Sequence, residues 1–217
     1  MFTPKLYQVD GDDWPLRIIE RHPLAVLVSD GDPVPHATHV PVIAPPDAAP
    51  GDALAGMRLW AHLTRANPHW QQLVADGGGP AKLVFHGPNG YVTPTLYSAD
   101  MVAPTWNYVA VHLEGTIELA GDDETLAIVH TTAQTLEDRF GDKMALAPSL
   151  EYHRQIVGAV GGLFFTVTKV DVMFKLSQEK DPEVQQRVLD RFAASGSGLH
   201  REVADTMRAL RLGGGAE

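Results

Sequence analysis

The sequence predicts an α+β fold, mainly β: an antiparallel β-barrel with peripheral helices. Three observations predict it. Apolar runs of strand length recur, several with strict in–out alternation. Turn signals separate them at hairpin spacing. Helical patterns interrupt the strands singly and do not alternate with them as a βαβ repeat would.

Asp12 or Asp13 caps a first short helix with Pro15 in its first turn, ending near His22-Pro23. Leu24 to Ser29 is an apolar strand, turned by Gly31-Asp32-Pro33 into a partner at His36 to Ile43. Residues 44–56, rich in Pro, Gly and Asp, read as a surface loop. In Met57 to Leu63, Leu59, Ala61 and Leu63 take one face of a strand while Trp60 and His62 take the other. Asn67-Pro68 starts a helix that runs to Ala75 before three glycines. Lys82 to His86 and Tyr91 to Thr93 flank Gly87-Pro88-Asn89-Gly90, which predicts a hairpin. Trp106 to Leu119 is a long strand, and Gly121 to Glu124 starts a helix with Leu126, Val129, Ala133, Leu136 and Phe140 on one face. Ser149 opens a short helix, and Leu163 to Lys175 returns to strand. Two helices follow, one from Asp181-Pro182 and one over about Leu199 to Leu210, before Gly213-Gly214-Gly215 frays. The organisation expected is a barrel domain with embedded helices over 1–180 and a helical extension over 181–212.

Composition bounds the chemistry. With 217 residues and 44% hydrophobic content the chain has material for a full core. It has no cysteine, which excludes disulfides, thiolate catalysis, iron–sulfur clusters and thiolate-ligated heme. Any metal must use His, carboxylate or Tyr, and there are ten His. The net charge is −10 and the 17 Lys and Arg are scattered, whereas nucleic-acid binding requires a basic face. Met1 to Lys5 lacks the basic and apolar regions of an export signal, and no apolar run approaches membrane-spanning length, so the expectation is cytoplasmic, off the membrane. There is no G-x-G-x-x-G, P-loop or G-x-S-x-G.

Five segments are too polar and aromatic together to be plain core: His36 to His39, Trp60 to Trp70, Tyr91 to Tyr97, Ala103 to Tyr108 and Phe174 to Gln178. In this order, over Phe2 to about Phe192, they resemble the PaiB-type flavin-binding split-barrel proteins. That resemblance implies an antiparallel split β-barrel, similar to pyridoxamine-phosphate oxidases and heme-degrading split-barrel enzymes, and a homodimer with cofactor pockets at the subunit interface. The chain departs from the flavin-binding pattern in two places. Pro94-Thr95-Leu96-Tyr97-Ser98-Ala99-Asp100 lacks the Trp and the following Lys, and Val172-Met173-Phe174-Lys175-Leu176-Ser177-Gln178-Glu179 lacks a further basic residue. A flavin phosphate needs such donors. The variant spellings Leu59-Trp60-x-His62-x-x-Arg65-Ala66-Asn67-Pro68-His69-Trp70, Ala103-Pro104-Thr105-Trp106-Asn107 and Met173 to Glu179 resemble the heme-dependent piperazate synthases.

That narrower resemblance implies heme b as cofactor, with FMN the alternative, and N5-hydroxy-L-ornithine as the substrate closed to L-piperazate in nonribosomal peptide biosynthesis. His62 is the expected iron ligand, against a His satisfied inside the barrel. Arg65 is expected on a heme propionate or the substrate carboxylate, against a surface ion pair. His69 covers a heme edge or is a solvated surface side chain, Trp106 packs on heme or in the core, and Gln178 holds the cofactor. Thr38, Thr105 and Asn107 are expected at the substrate, and Asn67 as an N-cap. Ring closure needs a polarised N–O bond, a protonated leaving hydroxide and a deprotonated α-amine. The acid–base pair is left open among Tyr97, His39 and Lys175. The alternative function is an FMN-binding PaiB-like reductase or sensor, labelled as a transcriptional regulator.

Overall fold

The structure is a computed structural model and describes residues 1–9, 13–49, 51–97 and 103–212. The alternative cap Asp12, the stretch Ser98-Ala99-Asp100 and the expected fraying at Gly213-Gly214-Gly215 lie outside the described residues. Six strands are joined in the order β1-β2-β3-β6-β5-β4, which closes as a barrel. They are β1 (Leu24–Ser29), β2 (His36–Ile43), β3 (Arg58–Thr64), β4 (Gly79–Val92), β5 (Thr105–Leu119) and β6 (Val160–Lys175). Among the described residues six α-helices accompany them: α1 (Asp13–Arg21), α2 (Pro68–Asp76), α3 (Asp122–Phe140), α4 (Leu150–Ile156), α5 (Pro182–Ala193) and α6 (Gly198–Ala209). No helix among the described residues is long and apolar enough to cross a membrane.

Contacts gather the chain into two compact units. One comprises Met1–Asp10, His86–Val111 and Asp171–Glu217, the other Gly11–Phe85 and His112–Val170. The helices expected at 181–212 are α5 and α6, and they belong to the first of these.

In the larger unit, register sets which side chains face inward. β1 pairs with β2 antiparallel, with Ala25 opposite Val40, Leu27 opposite Thr38 and Ser29 opposite His36. Opposite residues share a face, so Ser29, His36 and Thr38 extend the inner face of the fully buried Ala25, Leu27 and Val40. β3 pairs with β6, and its buried Leu59, Ala61 and Leu63 alternate with Trp60 and His62 on the other face. Two consecutive glycines of β6 let helices approach from opposite sides. A Cβ on Gly161 would stand 2.4 Å from the Trp70 ring of α2, and one on Gly162 would stand 2.7 Å from Thr125 Oγ1 of α3. Gly162 lies opposite His62, so His62 shares the face that α3 covers.

Three expectations are corrected here. Residues 82–93 contain no hairpin; the chain continues through Gly87-Pro88-Asn89-Gly90 as one 14-residue strand, β4. β6 begins at Val160 and not at Leu163, because the glycines pair with β3. The deeply buried positions of α3 are Thr125, Ile128 and Thr132, while Phe140 is exposed. α3 approaches Gly162 through Thr125 and Ile128, and this contact decides which face is buried.

In the smaller unit α5 and α6 pack on each other, and Val188 and Phe192 of the one and Val203 and Met207 of the other are buried. Gly90 of β4 admits Phe192 and His200, since a Cβ there would meet both rings at 2.9 Å.

Candidate functional site

In the larger unit the sequence motif from Trp60 to Trp70 divides into two environments. His62 is half-buried on β3. Burial pushes its pKa below the usual histidine range, which keeps the imidazole neutral. Its Nδ1 is enclosed and has no hydrogen-bond partner in the protein. A buried ring nitrogen left this way costs free energy unless something else engages it. Arg65, just beyond β3, donates through Nε to the Val160 carbonyl at 2.8 Å and through Nη2 to Asp122 at 2.7 Å, at the start of α3. The surface ion pair set against a ligand role for Arg65 is therefore formed.

His69 is not the solvated side chain the sequence suggested. It is 1% exposed. Asn67 caps α2 by accepting from the His69 backbone N–H at 2.9 Å, and this turns the His69 ring inward. Its Nε2 lies 2.8 Å from Ser29 Oγ and its Nδ1 2.9 Å from Thr38 Oγ1. Asn67 Nδ2 donates to the same Thr38 oxygen at 3.3 Å. The His36 ring stacks on His69 at 5.1 Å. Burial first, and His36 second, lower the His69 pKa. With both nitrogens engaged, His69 offers no free lone pair, and Thr38 is bound into the same cluster. His39 is exposed on the opposite side of β2, so the structure does not bring it to Thr38 and His69.

Beside Ser29 opens a cleft of about 610 Å³, whose wall includes Asp30, Lys82, Glu114, Thr116 and Thr168. Glu114 is shared by Lys82 and Lys169, each at 3.3 Å, and hydrogen bonds from these two ammonium groups hold its carboxyl below the usual range. The sequence reading missed this cleft and Ser29. The signal was a single hydroxyl closing the otherwise apolar run Leu24 to Val28.

In the smaller unit Lys175 Nζ donates to Thr105 Oγ1 at 2.7 Å, so these two expected residues do meet. Asn107 is fully buried and exchanges hydrogen bonds with Ser177 at 3.0 and 3.2 Å, which pins a turn whose Ser177 has φ of +69°. Gln178 accepts from the Leu176 N–H at 2.6 Å and donates to the Phe174 carbonyl, so both ends of its amide serve the same turn. Trp106 is 50% exposed, donates to Asn89 Oδ1 at 3.2 Å and meets Tyr91 edge-on at 6.0 Å. The Tyr97 hydroxyl is enclosed without a partner, and Lys180 Nζ sits 4.6 Å over its ring. Burial first, then the charge of Glu179 and the neighbouring Tyr91, raise the Tyr97 pKa, so the phenol keeps its proton.

Known proteins resemble this chain in sequence and in fold. Residues 1–169 match the family described as "Putative FMN-binding domain". The chain is 23% identical over 210 residues to the protease synthase and sporulation protein PAI 2 of Bacillus subtilis, covering 95% of this chain and 96% of that protein. Among solved structures it resembles an FAD and heme binding protein from Mycobacterium smegmatis, with TM-score 0.53, 18% identity, and coverage of 76% of this chain and 69% of that one. It also resembles the flavocytochrome Anf3 from Azotobacter vinelandii, with TM-score 0.54, 15% identity, and coverage of 76% and 68%. An antiparallel six-stranded sheet with the split-barrel fold of these structures, matched over most of its length, makes this chain a member of the FMN-binding domain family.

Proposed function

We propose that the chain is a heme-dependent cyclase, a piperazate synthase, that closes N5-hydroxy-L-ornithine to L-piperazate with loss of water. The observation that carries this reading is His62. A ligand imidazole must be neutral and must have a nitrogen to give, and His62 is held neutral by burial with Nδ1 unpartnered. Among the described residues no group of three or more His, Asp or Glu is set to hold a metal ion. A heme would bring its own nitrogen donors and would be held to the protein by one side-chain ligand, which a lone His such as His62 could supply. The spelling of the segment around His62 supports the same reading, and so does the name of the Mycobacterium smegmatis protein of similar fold.

The reaction is redox-neutral. An N–N bond forms, the N–O bond breaks, the α-amine loses a proton and the hydroxide leaves as water. Ferric heme, when bound, supplies Lewis acidity to polarise the N–O bond. Tyr97, in the smaller unit, keeps its proton, as a general acid must. Lys175, in the same unit, is held on Thr105.

A flavin-binding PaiB-like reductase or sensor is the second reading, favoured by the family match and by the Bacillus subtilis relative. Its weakness is the phosphate. Arg65 is tied to Asp122 and Val160, so that motif cation already has partners. The absorption spectrum of purified, heme-reconstituted protein and an anaerobic assay on N5-hydroxy-L-ornithine separate the two. A Soret band, with product formed without NAD(P)H, O₂ or flavin, is expected. Flavin bands with turnover only on added reductant would replace this reading by the second. L-Ornithine, with no N–O bond, gives no product.

A further inference from the structure

The cluster at the end of β1 has a chemistry that ring closure does not use. Ser29 Oγ stands 2.8 Å from His69 Nε2, and His69 Nδ1 stands 2.9 Å from Thr38 Oγ1. Thr38 is fixed in turn by Asn67, which also caps the helix that carries His69. Among the described residues the other acceptor within reach of the Ser29 hydroxyl is the Asp30 carbonyl at 3.4 Å, at the limit of a hydrogen bond. In the tautomer with Nδ1–H on Thr38, Ser29 donates to Nε2. That tautomer leaves the Nε2 lone pair on Ser29, the relation a nucleophile needs to its base. The ring is stacked on His36 and buried, so its orientation is fixed. Ser29 also forms part of the wall of the 610 Å³ cleft, where Lys82 is the lining cation.

We propose that Ser29 and His69 form a nucleophile–base pair that accepts acyl groups from small activated esters entering this cleft. Ser29 Oγ bonds to the ester carbonyl carbon as its proton passes to His69 Nε2. The ester C–O bond then breaks, and the leaving alkoxide takes that proton from Nε2. Water, deprotonated by the same nitrogen, later releases the acid and restores Ser29. No oxidant or reductant is consumed. Thr38 and Asn67 are positioning residues, holding the tautomer and the ring. The assignment is independent of heme, flavin and piperazate.

The test uses the full chain with a fluorophosphonate probe, read by intact mass and peptide mapping, and with p-nitrophenyl acetate, read as a burst of p-nitrophenolate. One phosphonyl group per chain on Ser29 is expected, with a stoichiometric burst. Ser29→Ala abolishes both, and His69→Gln slows labelling by about 10²-fold or more. The second Ser–His pair, Ser195 with His200 at 2.9 Å, is the control. Ser195→Ala labels as the wild type does. In Ser29→Cys the thiol alkylates with iodoacetamide along a pH profile displaced below that of an ordinary thiol, a readout that leaves His69 in place. No adduct on folded wild-type protein, an adduct on Ser195 or elsewhere, or undiminished labelling of Ser29→Ala overturns the proposal.

Discussion

His62→Ala separates iron ligation from packing, and two opposing effects set its size. Truncation removes a half-buried ring beside Gly162 and α3, a loss of about 1–2 kcal/mol at a site that collapses partly. It also removes an enclosed nitrogen without a partner, whose presence costs about 1–3 kcal/mol. The two nearly cancel, so the heme-free variant is expected to unfold in urea within about 1 kcal/mol of the wild type. Ligand linkage then distinguishes them. Free heme at 100 times its Kd raises the stability of the wild type by about 2.7 kcal/mol, and of a variant that does not bind by nothing. The assay is urea unfolding by circular dichroism with and without heme, beside a Soret titration. A loss above about 3 kcal/mol in the heme-free variant would make His62 a structural side chain. Full heme occupancy and an unchanged Soret maximum in the variant would refute its role as ligand.

Acidification tests the same ring and His69. Burial lowers both pKa values in the folded state, so between those values and the ordinary one near 6.5 the unfolded chain binds more protons. Stability is therefore complete above about pH 6.5 and falls as pH drops below it, until the folded-state values are passed; His62→Ala removes its share of that slope in urea midpoints against pH. Gly161→Ala, with its Cβ 2.4 Å from the Trp70 ring, is expected to lower stability by about 1–3 kcal/mol. Gly158→Ala, with open space around it, serves as the control and shifts the midpoint little. Asn67→Ala removes the α2 cap and a bond to Thr38, a loss of about 1–2 kcal/mol by chemical denaturation.

The sequence by itself determined the element types, the strand faces and the lack of thiolate chemistry, because alternation, capping residues and composition are local properties. It placed His62 opposite the row Leu59, Ala61 and Leu63, and the structure keeps that alternation. It identified Asn67 as a cap. What it misjudged depended on partners far along the chain. Gly87-Pro88-Asn89-Gly90 has turn chemistry, yet it lies within a continuous strand of the closed barrel, where pairing along the sheet outweighs local turn preference. The stripe of α3 read from the sequence yielded to the face of Thr125, Ile128 and Thr132, of which Thr125 and Ile128 close on a bare glycine of β6. His69 looked like a surface residue of a helix start. It is buried because register brings Ser29, Thr38 and His36 to one face at the end of two strands, where hydroxyls 31 and 40 residues away satisfy both ring nitrogens. No spacing in a single sequence encodes such a meeting, since it is decided only when the sheet pairs and the helix closes over it.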